Sequence, residues 1–321
     1  MINLAVLCPA EIAKRRFMPA LKECGEFSYT GVGMHRREKA EEFLSEYPGT
    51  LYESYDEVLA AEDVDAVYIP LPPGLHHEWA KKALEAGKHV LLEKPFAATL
   101  AEAEELLDLA KSKDLALHEN YMFVFHRQVE ELQKLIDKGE IGEVRLMRMS
   151  FGFPMRPAGD FRYDKFLGGG AFLDAGGYCL KAAGFFLGET ASVTAATVNY
   201  TPEFEVDLYG SATVVNENGL TAQLSFGMDN NYKCSLEIWG SKGTLSTGRF
   251  FTAPAGFVPT AVLEKNGECR DIPLSADDTF RKSIEYFGRC IKEESTRKKS
   301  CHAILKQAGL MEEFRWLAGL D

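Results

Sequence analysis

The chain has 321 residues, and because domains typically span roughly 100–200 residues it has room for about two. Hydrophobic residues make up 46% and charged residues 26%, a composition typical of globular proteins that argues against long disordered segments. The formal net charge of −12 repels polyanions, and the nearest basic patch, Arg297-Lys298-Lys299, is typical of a solvated helix face. We therefore expect no nucleic-acid partner.

The amino-terminal residues 1–13 lack a basic region and include Pro9, so they are predicted to form a buried strand and not a signal peptide. No apolar run approaches the roughly 20 residues of a membrane span, so we expect a cytoplasmic protein with no membrane partner. The seven scattered cysteines contain no Cys-x-x-Cys pair and indicate free thiols in a reducing compartment. No cluster has the spacing of a zinc site, and no metal is predicted.

The first 120 residues alternate short apolar or β-branched runs with helical stretches, which is the pattern of a doubly wound parallel sheet. Two helix starts are marked by capping boxes at Ser54 and Thr99, whose side chains are expected to accept from the helix backbone. The predicted strands cover residues 4–7, 29–33, 66–69, 89–92 and 115–119.

From about Val144 the pattern changes to longer alternating strands separated by turns such as 216–219, which predicts an antiparallel, meander-like sheet. The predicted strands cover 192–200, 207–215, 220–228 and 233–239, and the predicted helices cover 171–187, 277–291 and 300–317. The predicted fold class is α/β, with an amino-terminal doubly wound parallel sheet of the Rossmann type and a carboxy-terminal α+β domain with a large, open, mainly antiparallel sheet. We place the domains at 1–121 and 122–321, and the last helix can pack back on the first domain.

The turn after the first strand is where a doubly wound sheet binds a dinucleotide pyrophosphate. The usual G-x-G-x-x-G fingerprint lets the backbone approach the phosphates, but here its glycines are replaced by Cys8, Ala10 and Ala13. A dinucleotide site and a plain structural turn are both compatible with this segment. Its predicted cofactor contacts are Cys8, Pro9, Ala10, Glu11 and Ile12.

The second strand ends without an acidic residue that could accept from a ribose 2′-hydroxyl. Arg36 and Arg37 can instead grip a 2′-phosphate through charge-assisted hydrogen bonds, so the sequence favours NADP over NAD. The alternative is that both arginines only begin a solvated helix. The predicted contacts here are His35, Arg36 and Arg37.

The strand 66–69 runs into Pro70-Leu71-Pro72, a rigid turn that can present backbone carbonyls to the flat ring of a nicotinamide. The helix that follows carries His76. This histidine either contacts the cofactor or is a buried structural residue.

Lys94 directly follows the strand 89–92, so it is expected at the carboxyl end of the sheet, where a nicotinamide would lie. Its ammonium can donate to a substrate oxygen and stabilise charge that develops during hydride transfer. In the glycine-rich stretch 168–178, Asp174 and Tyr178 are four residues apart on one helix face and can orient a hydroxyl and pass its proton. That stretch is equally compatible with a helix packing motif around a buried Asp.

Together these segments resemble the Gfo/Idh/MocA family of oxidoreductases over nearly the whole chain. The matching stretches are residues 65–72, 75–79, 83–90, 93–95, 119–126, 141–144, 161–162, 168–178 and 240–243. The resemblance implies a Rossmann domain with a bound nicotinamide cofactor and a carboxy-terminal domain whose open sheet forms homodimers or homotetramers. Tyr178 places the chain in the tyrosine-type branch, with dihydrodiol dehydrogenases and keto-sugar reductases.

By motif position, the resemblance implies that Lys94 is the catalytic lysine, Asp174 helps to hold the substrate, and Tyr178 is the proton donor or acceptor. A phenol is a weak base, so a nearby ammonium such as that of Lys94 is expected to favour its ionised form. Glu93 and Lys94 join the implied cofactor contacts. The implied substrate contacts are Lys94, Tyr121, Phe123, Arg162, Asp174 and Tyr178.

The leading hypothesis is an NAD(P)-dependent oxidoreductase that transfers a hydride to or from a secondary alcohol or ketone of a sugar, cyclitol or sugar nucleotide. The alternative is a non-catalytic regulator that binds a sugar or dinucleotide on the same fold. The glycine-free first turn supports the regulator, whereas the combination of Lys94, Asp174 and Tyr178 favours the enzyme. A structural partner-binding protein would explain an oligomer but not these residues.

Overall fold

The computed structural model describes residues 1–34 and 36–320, so the predicted cofactor contact His35 lies outside the described residues. The chain divides into two compact units. The first unit comprises Met1–Asn120 and Phe280–Leu305, and the second comprises Tyr121–Thr279 and Lys306–Asp321.

The first unit contains a six-stranded sheet in which all neighbouring strands are parallel. Its order, β3-β2-β1-β4-β5-β6, is that of a doubly wound Rossmann sheet, which confirms the predicted fold class. The central strands are almost entirely apolar because helices cover both faces of such a sheet. The strands are β1 (Ile2–Val6), β2 (Phe27–Gly33), β3 (Thr50–Tyr52), β4 (Ala66–Ile69), β5 (His89–Leu92) and β6 (Leu117–Glu119).

The helices of this unit follow the strands in alternation. Ser54 and Thr99 cap two of them by accepting from the backbone N–H groups of Glu57 and Glu102, at 3.1 and 3.2 Å, as predicted. A π-helical turn, Ala13–Phe17, precedes the first α-helix. The helices are α1 (Met18–Lys22), α2 (Arg37–Glu46), α3 (Tyr55–Ala60), α4 (His76–Glu85) and α5 (Leu100–Ser112).

The second unit contains an eight-stranded sheet in the order β14-β13-β12-β11-β7-β10-β9-β8. It is mostly antiparallel, but the predicted meander order is not kept because β7 lies between β10 and β11 and pairs with β10 in parallel. The strands are β7 (Val144–Gly152), β8 (Ser192–Asn199), β9 (Tyr209–Val215), β10 (Thr221–Gly227), β11 (Lys233–Gly240), β12 (Thr244–Gly248), β13 (Thr260–Lys265) and β14 (Glu268–Pro273).

Two helices of the second unit matter for the site: α6 (Arg127–Asp137) and α7 (Gly177–Leu187). A second π-helical turn, Phe172–Gly176, leads directly into α7, so the predicted helix over 171–187 combines two geometries. Helix α7 packs on β7, β9 and β10, whose side chains alternate between buried and exposed. One face of this sheet is therefore covered by α7.

The chain ends in helices α8 (Thr279–Lys292) and α9 (Glu294–Ala318). Helix α9 begins six residues before the predicted position, and the basic run therefore lies inside it. The expectation of a fully solvated run is wrong for Arg297, which is mostly buried and donates to the carbonyl oxygen of Asp114 at 2.6 Å. Lys298 is exposed and pairs with Glu294 at 2.7 Å.

Candidate active site

The turn after β1 brings the chain directly into a helix. The N–H of Ala10 donates to the carbonyl oxygen of Cys8 at 2.8 Å, and the helix begins at Glu11, with the N–H of Lys14 donating to the carbonyl oxygen of Ala10 at 3.0 Å. Burial raises the pKa of the Cys8 thiol, which keeps it neutral, and Lys39 partly opposes this shift with its positive charge. A helix start beside a neutral small residue is compatible with a bound phosphate group, because its first backbone N–H groups point out of the helix. Glu11, predicted here, has an exposed side chain.

The two arginines after β2 differ in their partners. Arg36 is exposed and stands at the N-cap position of α2. Arg37 forms ion pairs with Glu53 and, at 3.7 Å, with Glu41. Arg37 thus already has carboxylate partners at the surface, so Arg36 is the better candidate for a 2′-phosphate. Sequence reasoning missed Lys39, although its place in the first turn of α2 was the signal that could have found it.

His76 is completely buried, and its ring bridges two loops. Its Nδ1 atom lies 2.7 Å from the carbonyl oxygen of Pro95, and its Nε2 atom lies 2.7 Å from that of Leu71. Burial lowers the pKa of His76 to about 4, so the ring is neutral at neutral pH. A neutral ring donates to one of these two carbonyl oxygens, and its complete burial favours the structural alternative for His76.

The loop 70–72 likewise uses backbone groups internally. The carbonyl oxygen of Leu71 faces the His76 ring, and that of Pro72 accepts from the N–H of Leu75 at 2.9 Å. These two carbonyls hold the loop in place. Leu71 and Pro72 therefore help to shape the loop, and Pro70 is buried at its start, while their predicted contacts with a nicotinamide stay a prediction.

Lys94 is half-buried and is followed by a cis peptide bond to Pro95. The preceding carboxylate, Glu93, is buried and accepts at Oε1 from the hydroxyl of Tyr68 at 2.6 Å and the amide of Asn120 at 2.7 Å. Burial raises the pKa of Glu93, and these hydrogen bonds oppose the increase. Glu93 thus binds protein groups through Oε1 and helps to hold the segment that carries Lys94, and its predicted cofactor contact stays a prediction.

Two predicted substrate residues in the second unit bind each other. The Nε of Arg162 donates to Oδ2 of Asp174 at 2.6 Å, and its Nη1 pairs with Asp160 at 3.1 Å. The nearby carboxylates raise the pKa of Arg162 against the opposing effect of burial. A guanidinium held between two carboxylates keeps Asp174 oriented.

Tyr178 is buried among aromatic rings. The ring of Tyr121 packs edge-on at 5.2 Å, and the predicted contact Phe123 lies at 5.8 Å. Phe151 and Phe251, which sequence reasoning missed, lie at 5.2 and 5.9 Å. Phe151 lies in β7 and Phe251 in a turn, both distant from Tyr178 in sequence, so no local pattern connects them with it. This surround fixes the ring plane of Tyr178.

Helix α7 also carries Lys181, three residues beyond Tyr178, which sequence reasoning missed. Its ammonium lies 5.4 Å from the centre of the Tyr121 ring, within the range of a cation–π contact. The structure therefore gathers Tyr121, Phe123 and Tyr178 into one cluster of the second unit. Lys94 and the segment that holds it belong to the first unit.

Residues 1–34 and 36–320 contain no group of three or more His, Cys, Asp or Glu side chains arranged to hold a metal ion. Over the same ranges, no helix combines the length and apolar character needed to cross a membrane.

Comparison with family models gives two matches that together cover most of the chain. Residues 5–121 match a model described as an oxidoreductase family with an NAD-binding Rossmann fold. Residues 129–246 match the GFO/IDH/MocA C-terminal domain.

Curated relatives cover nearly the full length. A dTDP-3,4-didehydro-2,6-dideoxy-alpha-D-glucose 3-reductase from Actinomadura kijaniata is 38% identical over 98% of this chain and 95% of its own. A D-xylose 1-dehydrogenase (NADP(+)) from Haloferax volcanii is 32% identical over 77% of this chain and 76% of its own.

Among solved structures, a 3-ketoreductase from Actinomadura kijaniata in complex with NADP and TDP-benzene superimposes with a TM-score of 0.96. Sequence identity is 38%, and the alignment covers 99% of this chain and 98% of that one. Further structures of the same protein carry a replacement of one tyrosine or of one lysine.

Proposed function

Because this chain belongs to the GFO/IDH/MocA family of oxidoreductases, we propose that it is an NADP-dependent reductase of the keto group of a nucleotide-linked deoxysugar. At the level of reaction class it is an NAD(P)-dependent oxidoreductase acting on a secondary alcohol or ketone of a sugar, cyclitol or sugar nucleotide. One observation carries the finer proposal: the end-to-end match, at 38% identity, to a ketoreductase solved with NADP and TDP-benzene.

The residues of the first unit fit NADP. The helix that begins at Glu11, just after Cys8, offers backbone N–H groups to a pyrophosphate. Arg36 is exposed at the start of α2, and the charge of Lys39 acts on the Cys8 thiol. Two cations near the turn favour the additional phosphate of NADP over a free 2′-hydroxyl. When bound, the nicotinamide supplies or accepts the hydride.

The chain's own residues supply the proton and the orientation. In this proposal Lys94 donates to the keto oxygen and stabilises the negative charge that develops there. Tyr178 passes a proton to that oxygen. Asp174, held by Arg162 at 2.6 Å, accepts from a neighbouring sugar hydroxyl and so fixes the ring of the substrate. In this arrangement Arg162 acts on the substrate through Asp174.

The structures of the Actinomadura kijaniata ketoreductase offer separate support for these roles. The lysine and the tyrosine replaced in them are the same distance apart in sequence as Lys94 and Tyr178. This equal spacing supports the proposal that Lys94 and Tyr178 correspond to the lysine and tyrosine replaced in that ketoreductase.

The direct test is turnover of Lys94→Ala. Purified protein is mixed with NADPH and dTDP-3,4-didehydro-2,6-dideoxy-α-D-glucose, and loss of NADPH absorbance is followed. We expect at least a 100-fold lower kcat for Lys94→Ala, because general-acid and electrostatic groups each contribute about that much. The matched control is Lys81→Ala on α4, an exposed lysine paired with Glu105, which is expected to keep wild-type activity. Activity of Lys94→Ala near that of the control would contradict the assignment.

We also propose that the chain forms a homodimer or homotetramer through the exposed face of the eight-stranded sheet. Small hydroxyl side chains cover this face and pair across strands, as Ser150 with Ser225 at 2.9 Å and Thr197 with Ser211 at 3.0 Å. Trp239, half exposed, stands on the same face. Beside Trp239 this face also carries the Arg148–Glu237 ion pair at 2.6 Å, and such a mixed surface of hydroxyl, aromatic and paired charged groups can contact a second copy of itself across a twofold axis. The cytoplasmic location stays a prediction.

A further inference from the structure

A chain of buried side chains runs through the first unit and ends at Glu93. Ser283 of α8 donates through Oγ to Oδ1 of Asn120 at 2.8 Å, and the amide nitrogen of Asn120 donates to Oε1 of Glu93 at 2.7 Å. None of these three side chains is more than 9% exposed. Water therefore cannot replace a lost partner at little cost.

The other end of the chain is His118 on β6. Its Nε2 atom lies 3.1 Å from Oγ of Ser283, and its Nδ1 atom lies 3.2 Å from Oγ of Ser300. The Ser300 hydroxyl donates to the carbonyl oxygen of Leu117 at 3.0 Å. The two serines therefore flank the same ring, but only Ser283 stands between His118 and Glu93.

Glu93 is connected directly to Lys94. Its carboxylate accepts from the backbone N–H of Lys94, and its own N–H donates to the carbonyl oxygen of Ile69 at 3.1 Å. The two residues after Lys94 are held by other groups. The ring of His76 contacts the carbonyl oxygen of Pro95, and the Glu119 carboxylate accepts from the N–H of Phe96. Tyr68 and Asn120 both donate to the Glu93 carboxylate, and Ser283 holds the second of these donors in place.

We propose that Ser283, acting through Asn120 and Glu93, is a positioning residue for Lys94. The proposal rests on the function proposed above, in which Lys94 acts on the keto oxygen. A side-chain amide has a donor end and an acceptor end, and the Ser283 hydroxyl fixes which end faces Glu93. Without that hydroxyl Oδ1 of Asn120 is buried without its donor, the hydrogen bond of Asn120 to Glu93 weakens, and the backbone at Lys94 shifts.

The test compares Ser283→Ala with Ser300→Ala. Each variant removes one buried hydroxyl that bonds the same histidine, so both lose similar stability, and their melting temperatures are compared first. We expect kcat of Ser283→Ala to fall about three- to tenfold, with KM for NADPH and for the sugar nucleotide unchanged, because a small displacement affects the reacting geometry more than ground-state binding. We expect Ser300→Ala to keep kcat within about twofold of wild type.

Lys94→Ala is measured alongside to separate this proposal from the proposed function. If Lys94→Ala loses activity while Ser283→Ala keeps wild-type kcat, the positioning role is wrong and the function stands. If Lys94→Ala keeps activity, the function itself fails. Equal losses in both serine variants would indicate a general effect on packing and would overturn the proposal. Should Ser283→Ala not fold, Ser283→Cys, which keeps the shape with a weaker donor, gives the same comparison.

Discussion

Asp207 is a buried carboxylate at the start of the helical segment that carries Asp174 and Tyr178. Its Oδ2 accepts from the N–H of Phe172 at 2.7 Å. A side chain at Gly170, whose φ is +113°, would overlap the other carboxylate oxygen, so glycine is required there on two grounds. Burial raises the pKa of Asp207 to about 6. The Asp207 carboxyl therefore has a pKa well above that of an ordinary aspartate.

This shift predicts a specific dependence of stability on pH. Between about pH 4 and pH 6 the folded protein keeps a proton that the unfolded chain releases, so the free energy of unfolding falls as the pH rises. In Asp207→Asn an amide oxygen still accepts from Phe172 but no charge is buried. We expect the stability of this variant relative to wild type to rise by about 2–3 kcal/mol from pH 4 to pH 7, measured by urea unfolding.

The control for that measurement is Asp164→Asn. Asp164 is exposed and also accepts from two backbone N–H groups, those of Phe166 and Leu167. This variant measures the effect of replacing an aspartate by asparagine at an exposed turn, where no charge is buried. If the difference in the free energy of unfolding between Asp207→Asn and wild type does not change with pH, burying the charged Asp207 does not destabilise the fold and the prediction is wrong.

At this scale local sequence patterns did not predict the partners of the charged site residues. Arg162 and Asp174 were each predicted to contact the substrate, and the structure shows them bound to each other. Arg37 was expected on a phosphate and is paired with Glu53. Such partners come from segments distant in sequence, and no local pattern records which carboxylate a guanidinium will meet.

At the scale of elements, both π-helical turns lie in the segments selected from the sequence as cofactor and substrate motifs. One follows the turn at Cys8, and the other contains Asp174. Such turns are rare and often occur at functional sites. The expected i, i+4 spacing of Asp174 and Tyr178 assumed an α-helix throughout. The wider π turn rotates Asp174 relative to Tyr178, which the hydrophobic pattern could not reveal.

Helix α7 has a glycine where the Tyr121 hydroxyl meets its backbone. A Cβ at Gly177 would overlap that oxygen, and Tyr121 in turn packs on Tyr178. In Gly177→Ala we therefore expect the Tyr121 ring to move and kcat to fall about tenfold or more, since small displacements at a reacting group are costly. Steady-state kinetics with NADPH as the varied substrate measures this.

Gly309 in α9 provides the comparison, because no atom lies within 4 Å of the position its Cβ would occupy. Alanine there should raise the free energy of unfolding by about 0.5–1 kcal/mol through helix propensity alone, with kcat unchanged. If Gly177→Ala behaves in the same way, Tyr121 does not position Tyr178.

The strands show which elements can be predicted from the sequence and which cannot. Strands β4 and β5 match the predicted ranges, because continuous apolar runs between turn signals are distinctive. Strand β3, with three residues, and strands β12–β14 were not predicted. Three residues carry no periodicity. The insertion of β7 between β10 and β11 depends on pairing between distant segments, which alternation within each strand does not encode.

At the scale of the whole molecule, the family resemblance is confirmed by models that match both halves of the chain, and relatives across its length are oxidoreductases of sugars and sugar nucleotides. The enzyme interpretation is therefore confirmed over the non-catalytic regulator. The resemblance succeeded because many short motifs occur in a fixed order, whereas the glycine-free first turn alone would have been misleading.

The open sheet face gives the prediction that belongs to the whole molecule. On β10, Ser225 is exposed and bonds Ser150 on the neighbouring strand, near the middle of the hydroxyl-rich surface. Ser225→Arg would place a charged, bulky side chain there, and in a twofold interface the change occurs on both copies. We expect light scattering to show a dimer or tetramer for wild type and at least a tenfold weaker association for Ser225→Arg. Glu217→Arg, in an exposed turn, introduces the same side chain away from this face and should leave the mass unchanged. A monomeric wild type, or equal masses for both variants, would rule this face out as the interface.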